Sequence, residues 1–190
     1  MNAQRLGVEF ASAGTVCRGW WYRPAAANGA CIVMAHGLGG VRTAGLEPYA
    51  LRFAEAGFSV LLFDCRHFGA SAGQPRQLVS VTHQLCDRAA AFAFAQQQPE
   101  VDAERTALWG SSFSGGHVVA AAARQPRVAA ICAQGPMMDG LSAALNIVRY
   151  GGLGQLLKLG ARGLRDVLQA AFGLARVYRR WLARRAPWPR

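Results

Sequence analysis

The chain is short of acid. Only 10 of its 190 residues are Asp or Glu, against 21 Lys or Arg, for a formal net charge of +11. The shortage is local: residues 1–140 carry 11 Arg and 9 acids, whereas residues 141–190 carry 10 basic residues and the single acid Asp166. The basic excess therefore belongs to the tail and gives no reason to assign the first 140 residues a nucleic-acid partner. Paired cysteines are also lacking. Cys17, Cys31, Cys65, Cys86 and Cys132 form no CxxC motif and sit mostly inside apolar runs. That excludes a disulfide frame, supplies no metal-ligating pair, and fits reduced thiols in a cytoplasmic protein. Residues 1–10 have no apolar signal core, and no eighteen-residue uncharged apolar run spans a bilayer. Neither a Gly-Lys-Ser/Thr phosphate loop nor a GxGxxG turn with an acid some twenty residues on is present, which argues against nucleotide binding.

What the chain has is apolar substance, 52% of its residues, enough for one sizeable core. Val8–Phe10 and Val16–Trp21 read as a hairpin turning at residues 12–14, with Trp20, Trp21 and Tyr22 packing it onto a sheet. Buried strands are expected at 31–35, 59–63, 106–109 and 128–133, and helices at 44–56, at about 79–97, and from the 110–116 turn to about Ala123. Alternation of this kind predicts a mostly parallel sheet covered on both faces, with a ligand site beyond the strands' C-terminal ends. Segments 36–40, 64–71, 110–116 and 134–139 all fall at that edge. Asp87, Arg88 and Glu104 look like solvated charges. After residue 140 the pattern turns helical, with an apolar stripe over Leu164, Leu168, Ala171, Leu174, Tyr178 and Trp181 that predicts an amphipathic helix over 164–182.

The segment Leu108-Trp109-Gly110-Ser111-Ser112-Phe113-Ser114-Gly115-Gly116-His117 carries the chemistry. A nucleophilic serine on a tight strand-to-helix turn needs small residues two places either side. Gly110 and Ser114 provide them for Ser112, with Ser114 a departure from the Gly of a strict GxSxG. Ser114 is the rival nucleophile, flanked by Ser112 and Gly116, but it falls in the first turn of the helix. The amides of Phe113 and of Leu38, in the glycine-rich turn His36-Gly37-Leu38-Gly39-Gly40, are the candidate oxyanion donors.

Four blocks, Val33–Gly40, Phe63–Ser71, Leu108–His117 and Ala133–Gly140, together resemble the α/β-hydrolase superfamily, and within it the serine aminopeptidase and X-Pro dipeptidyl-peptidase-like hydrolases. The resemblance implies hydrolysis of a small ester, amide or peptide by a Ser-His-acid triad, with no cofactor and no metal. Asp64 to Ser71 resembles the family's D-x-R-G-x-G-x-S structural loop, with His67 where Gly is usual. The resemblance is expected to cover residues 8–140 only. That makes the fold an α/β-hydrolase with a truncated, mostly parallel sheet and flanking helices (a partial core, 1–140), followed by a basic, cap-like helical segment (141–190). The usual triad acid and histidine are expected to be missing, so the chain reads as a fragment.

His36, His67, His83 and His117 are the histidines available. His36 suits a structural hydrogen bond, His83 a surface or core role, and the helix carries His117 away from Ser112. His67, with Asp139 as acid, is the substitute base this reading nominates. Without a base a serine is a weak nucleophile, which leaves a non-catalytic remnant that binds or dimerises as the alternative function. For the tail, packing on its own crevice ranks ahead of contact with a second copy, and both rank ahead of a membrane surface; nucleic acid comes last.

Overall fold

The computed structural model describes residues 3–172. Its strands are β1 (Gln4–Ser12), β2 (Thr15–Arg23), β3 (Cys31–Ala35), β4 (Ser59–Asp64), β5 (Thr106–Ser111) and β6 (Ala130–Gln134). Its α-helices are α1 (Glu47–Glu55), α2 (Val81–Gln96), α3 (Phe113–Ala122) and α4 (Gly140–Ala171). All six strands form one sheet in the order β1-β2-β4-β3-β5-β6.

The sheet is mixed, which corrects the expectation of a truncated, mostly parallel one. β1 and β2 meet through Ala13 and Gly14, at φ 44° and 77°. Positive φ at both central residues gives a tight hairpin, and a two-residue hairpin leaves only antiparallel pairing. β2 then pairs antiparallel with β4, while β4, β3, β5 and β6 run parallel. Parallel neighbours need helical crossovers, and α1, α2 and α3 supply them.

Alternation along the strands divides the core in two. Cys31, Val33 and Ala35 of β3 and Leu61 and Phe63 of β4 pack with Trp21, with Ala91, Phe92 and Ala95 of α2, and with Val118 and Ala121 of α3. Ile32, Met34, Val60 and Leu62 point the other way, onto Tyr22, Trp109 and Ala50 and Ala54 of α1. Helices therefore cover both faces, and the polar turns are left at the strand ends.

The loop after β4 is fixed by polar contacts. The buried Asp64 carboxylate accepts from Arg42 N at 2.7 Å and Ala70 N at 3.1 Å, with the Arg42 guanidinium 3.2 Å away. Ser71 Oγ donates to Asp64 O at 2.6 Å and accepts from Arg18 N at 2.7 Å. Arg66 gives Asp87 its backbone N–H and its Nε–H, both at 2.8 Å, and reaches Ser12 Oγ at 2.7 Å. His67 holds φ 71° here, which explains why Gly is usual at that place in the resemblance.

Two units divide the chain, Met1–Met138 and Asp139–Arg190. The first holds the sheet and α1 to α3. In the second, α4 is two helical pieces broken at Gly152, whose φ of 75° and ψ of 163° are not helical. Of the expected helix over 164–182, residues 164–171 are helical; residues 173–190 lie outside those described.

Gly69 and Gly14 separate backbone strain from collision. Both have positive φ, but a Cβ on Gly69 would overlap the Asp64 carboxylate, whereas one on Gly14 meets open space. Gly14→Ala is expected to cost about 1 kcal/mol. Gly69→Ala is expected to cost at least about 1 kcal/mol more, by urea denaturation. Equal costs would show that the Asp64 cradle yields freely.

Candidate active site

β5 delivers the chain to Ser112, and α3 starts at the next residue. Ser112 sits at φ 56°, ψ −120°, a conformation that L side chains rarely adopt. Its backbone is held on both sides. Ser112 N donates to Gln134 O at 2.9 Å, and Ser112 O accepts from Gly115 N and Met137 N, each at 2.9 Å. A serine at a helix N-cap ordinarily turns its hydroxyl onto the first helical amides. Here it makes no such bond, and Ser112 is exposed. The neighbours explain the sequence around it. A Cβ on Gly110 would overlap the Ser114 carbonyl, and one on Gly116 the Met137 carbonyl. Ser114 is buried and pairs with Arg88, so the position two past Ser112 tolerates a side chain that has a partner.

The loop after β3 comes to the same point. A Cβ on Gly37 would lie 3.3 Å from Ser112 Cβ and 3.8 Å from its Oγ, so residue 37 is placed directly beside the hydroxyl. Gly40 N closes the turn on Gly37 O at 3.1 Å. Among the described residues, neither Leu38 N–H nor Phe113 N–H donates a hydrogen bond. His36 fixes the turn's base: its Nε2 accepts from Cys65 N at 3.1 Å, so its proton is on Nδ1, which donates to Gly37 O at 2.9 Å. Burial holds His36 below its ordinary pKa, which keeps it neutral and structural.

The other nominated residues have partners of their own. His67 is buried with its Nε2 3.4 Å from His83 Nδ1, and burial followed by the neighbouring His83 lowers its pKa. Asp139 belongs to the second unit, where its carboxylate accepts from Ser142 N at 2.7 Å and caps α4. That bond holds its pKa below the ordinary value. Among the described residues, His67 makes no hydrogen bond to Ser112. His117 is buried against Phe113, ring centroids 4.3 Å apart, and its Nε2 has no partner among the described residues. Burial, then the charge of Arg88, pushes its pKa down to about 4.

Two residues read as solvated are not. Asp87 and Arg88 are 0% and 1% exposed. Their helix explains it: Gln84, Arg88, Ala91 and Ala95 recur at three-to-four spacing and are all buried, so Arg88 lies on the core-facing stripe. The same spacing was available in the sequence; charge alone suggested otherwise.

A serine at positive φ between a parallel strand and a helix, beside a glycine-rich turn from the adjacent strand, defines the α/β-hydrolase class. The chain belongs, more narrowly, to the family described as Serine aminopeptidase, S33, which matches residues 26–170. It is 45% identical over 141 residues to the quorum-quenching protein AidA of Acinetobacter baumannii, covering 74% of this chain and 46% of the relative. To the thiohydrolase aneE of Aspergillus aculeatus it is 42% identical over 113 residues, 60% of this chain and 36% of the relative. The crystal structure of the α/β-hydrolase GrgF from Penicillium superposes with a TM-score of 0.71 at 32% identity, covering 90% of this chain and 56% of GrgF. The chain thus spans about half the length of these relatives or less. These matches correct the expectation that the likeness stops at residue 140 and that only a truncated core is present. The family match continues to residue 170, and the structural likeness covers nearly the whole chain, α4 included. The segment after 140 was read as helical, and α4 is; the matches bring it within the likeness.

His117 gives a test by pH. The unfolded chain takes up a proton as pH falls through about 6.5, whereas the folded chain resists until about 4. Its contribution is therefore present above pH 6.5 and lost as pH falls toward 4. Between these values wild type should lose stability faster than His117→Phe, by up to about 1.4 kcal/mol per pH unit in urea denaturation. Parallel slopes would contradict a buried neutral His117.

Proposed function

We propose that Ser112 is the nucleophile of acyl transfer and that the chain acts on small ester, thioester or amide acyl groups without a cofactor. One observation carries this reading: Ser112 holds positive φ at the β5–α3 junction with its hydroxyl uncommitted and Gly37 beside it. In the reaction, Oγ bonds to the carbonyl carbon and the alcohol, thiol or amine departs with the hydroxyl proton. Water then attacks the acyl-enzyme, releasing the acid and restoring Ser112. Leu38 and Phe113 amides donate to the oxyanion in both steps, where each such donor is worth about 10²–10³-fold. The start of α3 favours the same negative charge. A relative named a thiohydrolase supports this chemistry and leaves the acyl group open.

p-Nitrophenyl acetate and acetylthiocholine probe the ester and thioester directly. Ser112→Ala should lower turnover of either by at least about 10³-fold. His67→Ala should retain most of it, because the His67 ring is engaged with His83. Equal rates in wild type and Ser112→Ala would remove Ser112 from the chemistry. Loss of activity in His67→Ala with the fold intact would instead identify His67 as the base.

A further inference from the structure

Arg88 is a cation inside the protein with no acid of its own. Its Nη1 donates to Trp109 O at 3.4 Å and its Nη2 to Ser114 Oγ. These two acceptors lie on the two arms of the Ser112 turn: Trp109 on the incoming strand, Ser114 in the first turn of the outgoing helix. Nε has no partner, and no carboxylate pairs with Arg88 among the described residues. The adjacent Asp87 is taken by Arg66 at 2.7 Å. The charge is therefore neither neutralised nor screened by water. An uncompensated buried charge is costly, and a guanidinium's two hydrogen bonds to neutral oxygens offset that only in part.

We infer that Arg88 is a positioning residue for Ser112: its guanidinium ties the strand arm of the turn to the helix arm, and its unpaired charge favours the anion that forms at Ser112 when Oγ attacks. This rests on the reading of Ser112 as nucleophile. Ser114 is the matching half of the device, since a glycine there would leave Nη2 without an acceptor. The groups that feel the same charge are His36 at the end of β3, Cys65 after β4 and His117 on α3. All three sit in neutral form near pH 7, so they do not cancel it. Burial lowers the pKa of Arg88 to about 10, which still leaves it cationic there.

The test is the pH dependence of acylation by a fluorophosphonate, which forms an Oγ–P bond at Ser112 and releases fluoride and the hydroxyl proton. Arg88→Met and Arg88→Gln remove the charge, and the glutamine keeps a donor. Both should raise the pH midpoint of labelling by about one unit. Arg88→Lys, which keeps the charge and loses the fork, should return it to the wild-type value. Ser114→Ala should slow labelling about tenfold at an unchanged midpoint, through loosened geometry alone. A purely structural Arg88 would change how much protein folds but not the midpoint, which is independent of the folded fraction. Unmoved midpoints in the neutral variants overturn the inference while leaving Ser112 as nucleophile. Failure of wild type to label at Ser112 overturns the underlying reading instead.

Discussion

Ser112 keeps an L side chain in backbone space that costs about 1–3 kcal/mol, and the geometry of the strand ends follows from what holds it there. Its amide is fixed by Gln134 at the end of β6 and its carbonyl by Gly115 on α3 and Met137 after β6. With the extended φ and ψ of an ordinary N-cap, a serine here would turn its hydroxyl onto the first amides of α3. Gly110 and Gly116 must lack a Cβ because strand, turn and helix pass so closely. The strain is therefore spread over three elements, and the hydroxyl stays clear of all of them.

The first unit also buries charged and polar side chains in an otherwise apolar interior. Asp64 pairs with Arg42, and Asp87 and Arg66 tie the loop after β4 to α2. Arg88, next along α2, supports the Ser112 turn itself. Breaking such pairs by removing one partner costs far more than the pairs contribute when intact. Their effect is to allow one arrangement of loops around Ser112. The buried histidines agree with this. His36 is a neutral strut between β3 and β4, and His117 is kept uncharged by its surroundings.

Much of this was legible in the sequence for physical reasons. Val33, Leu61 and Leu108 stand in short apolar runs ended by turn residues, and such runs can only be buried strands or helix pieces too short to persist. Gly110 and Gly116 around Ser112 announced a turn too tight for side chains. The hairpin was legible at Ala13 and Gly14, but the antiparallel pairing of β2 with β4 was not, because hydrophobicity in β2 says nothing about which strand lies beside it. Asp87 and Arg88 misled because charge was weighed above periodicity, although their helical spacing placed them inside. The segment after residue 140 was legible as helix punctuated by glycines. Gly151, Gly152 and Gly154 interrupt its pattern, yet α4 continues around a single break at Gly152.

Where an acyl group attaches decides the central claim. Three serines lie within four residues of one another; only Ser112 has positive φ, and Ser114 Oγ is taken by Arg88. Wild type, quenched during turnover of an activated ester and digested, should carry the acyl mass on the peptide containing residues 111–114. Fragmentation should locate it on Ser112. An adduct on Ser111 or Ser114, or none while turnover persists, would contradict the account.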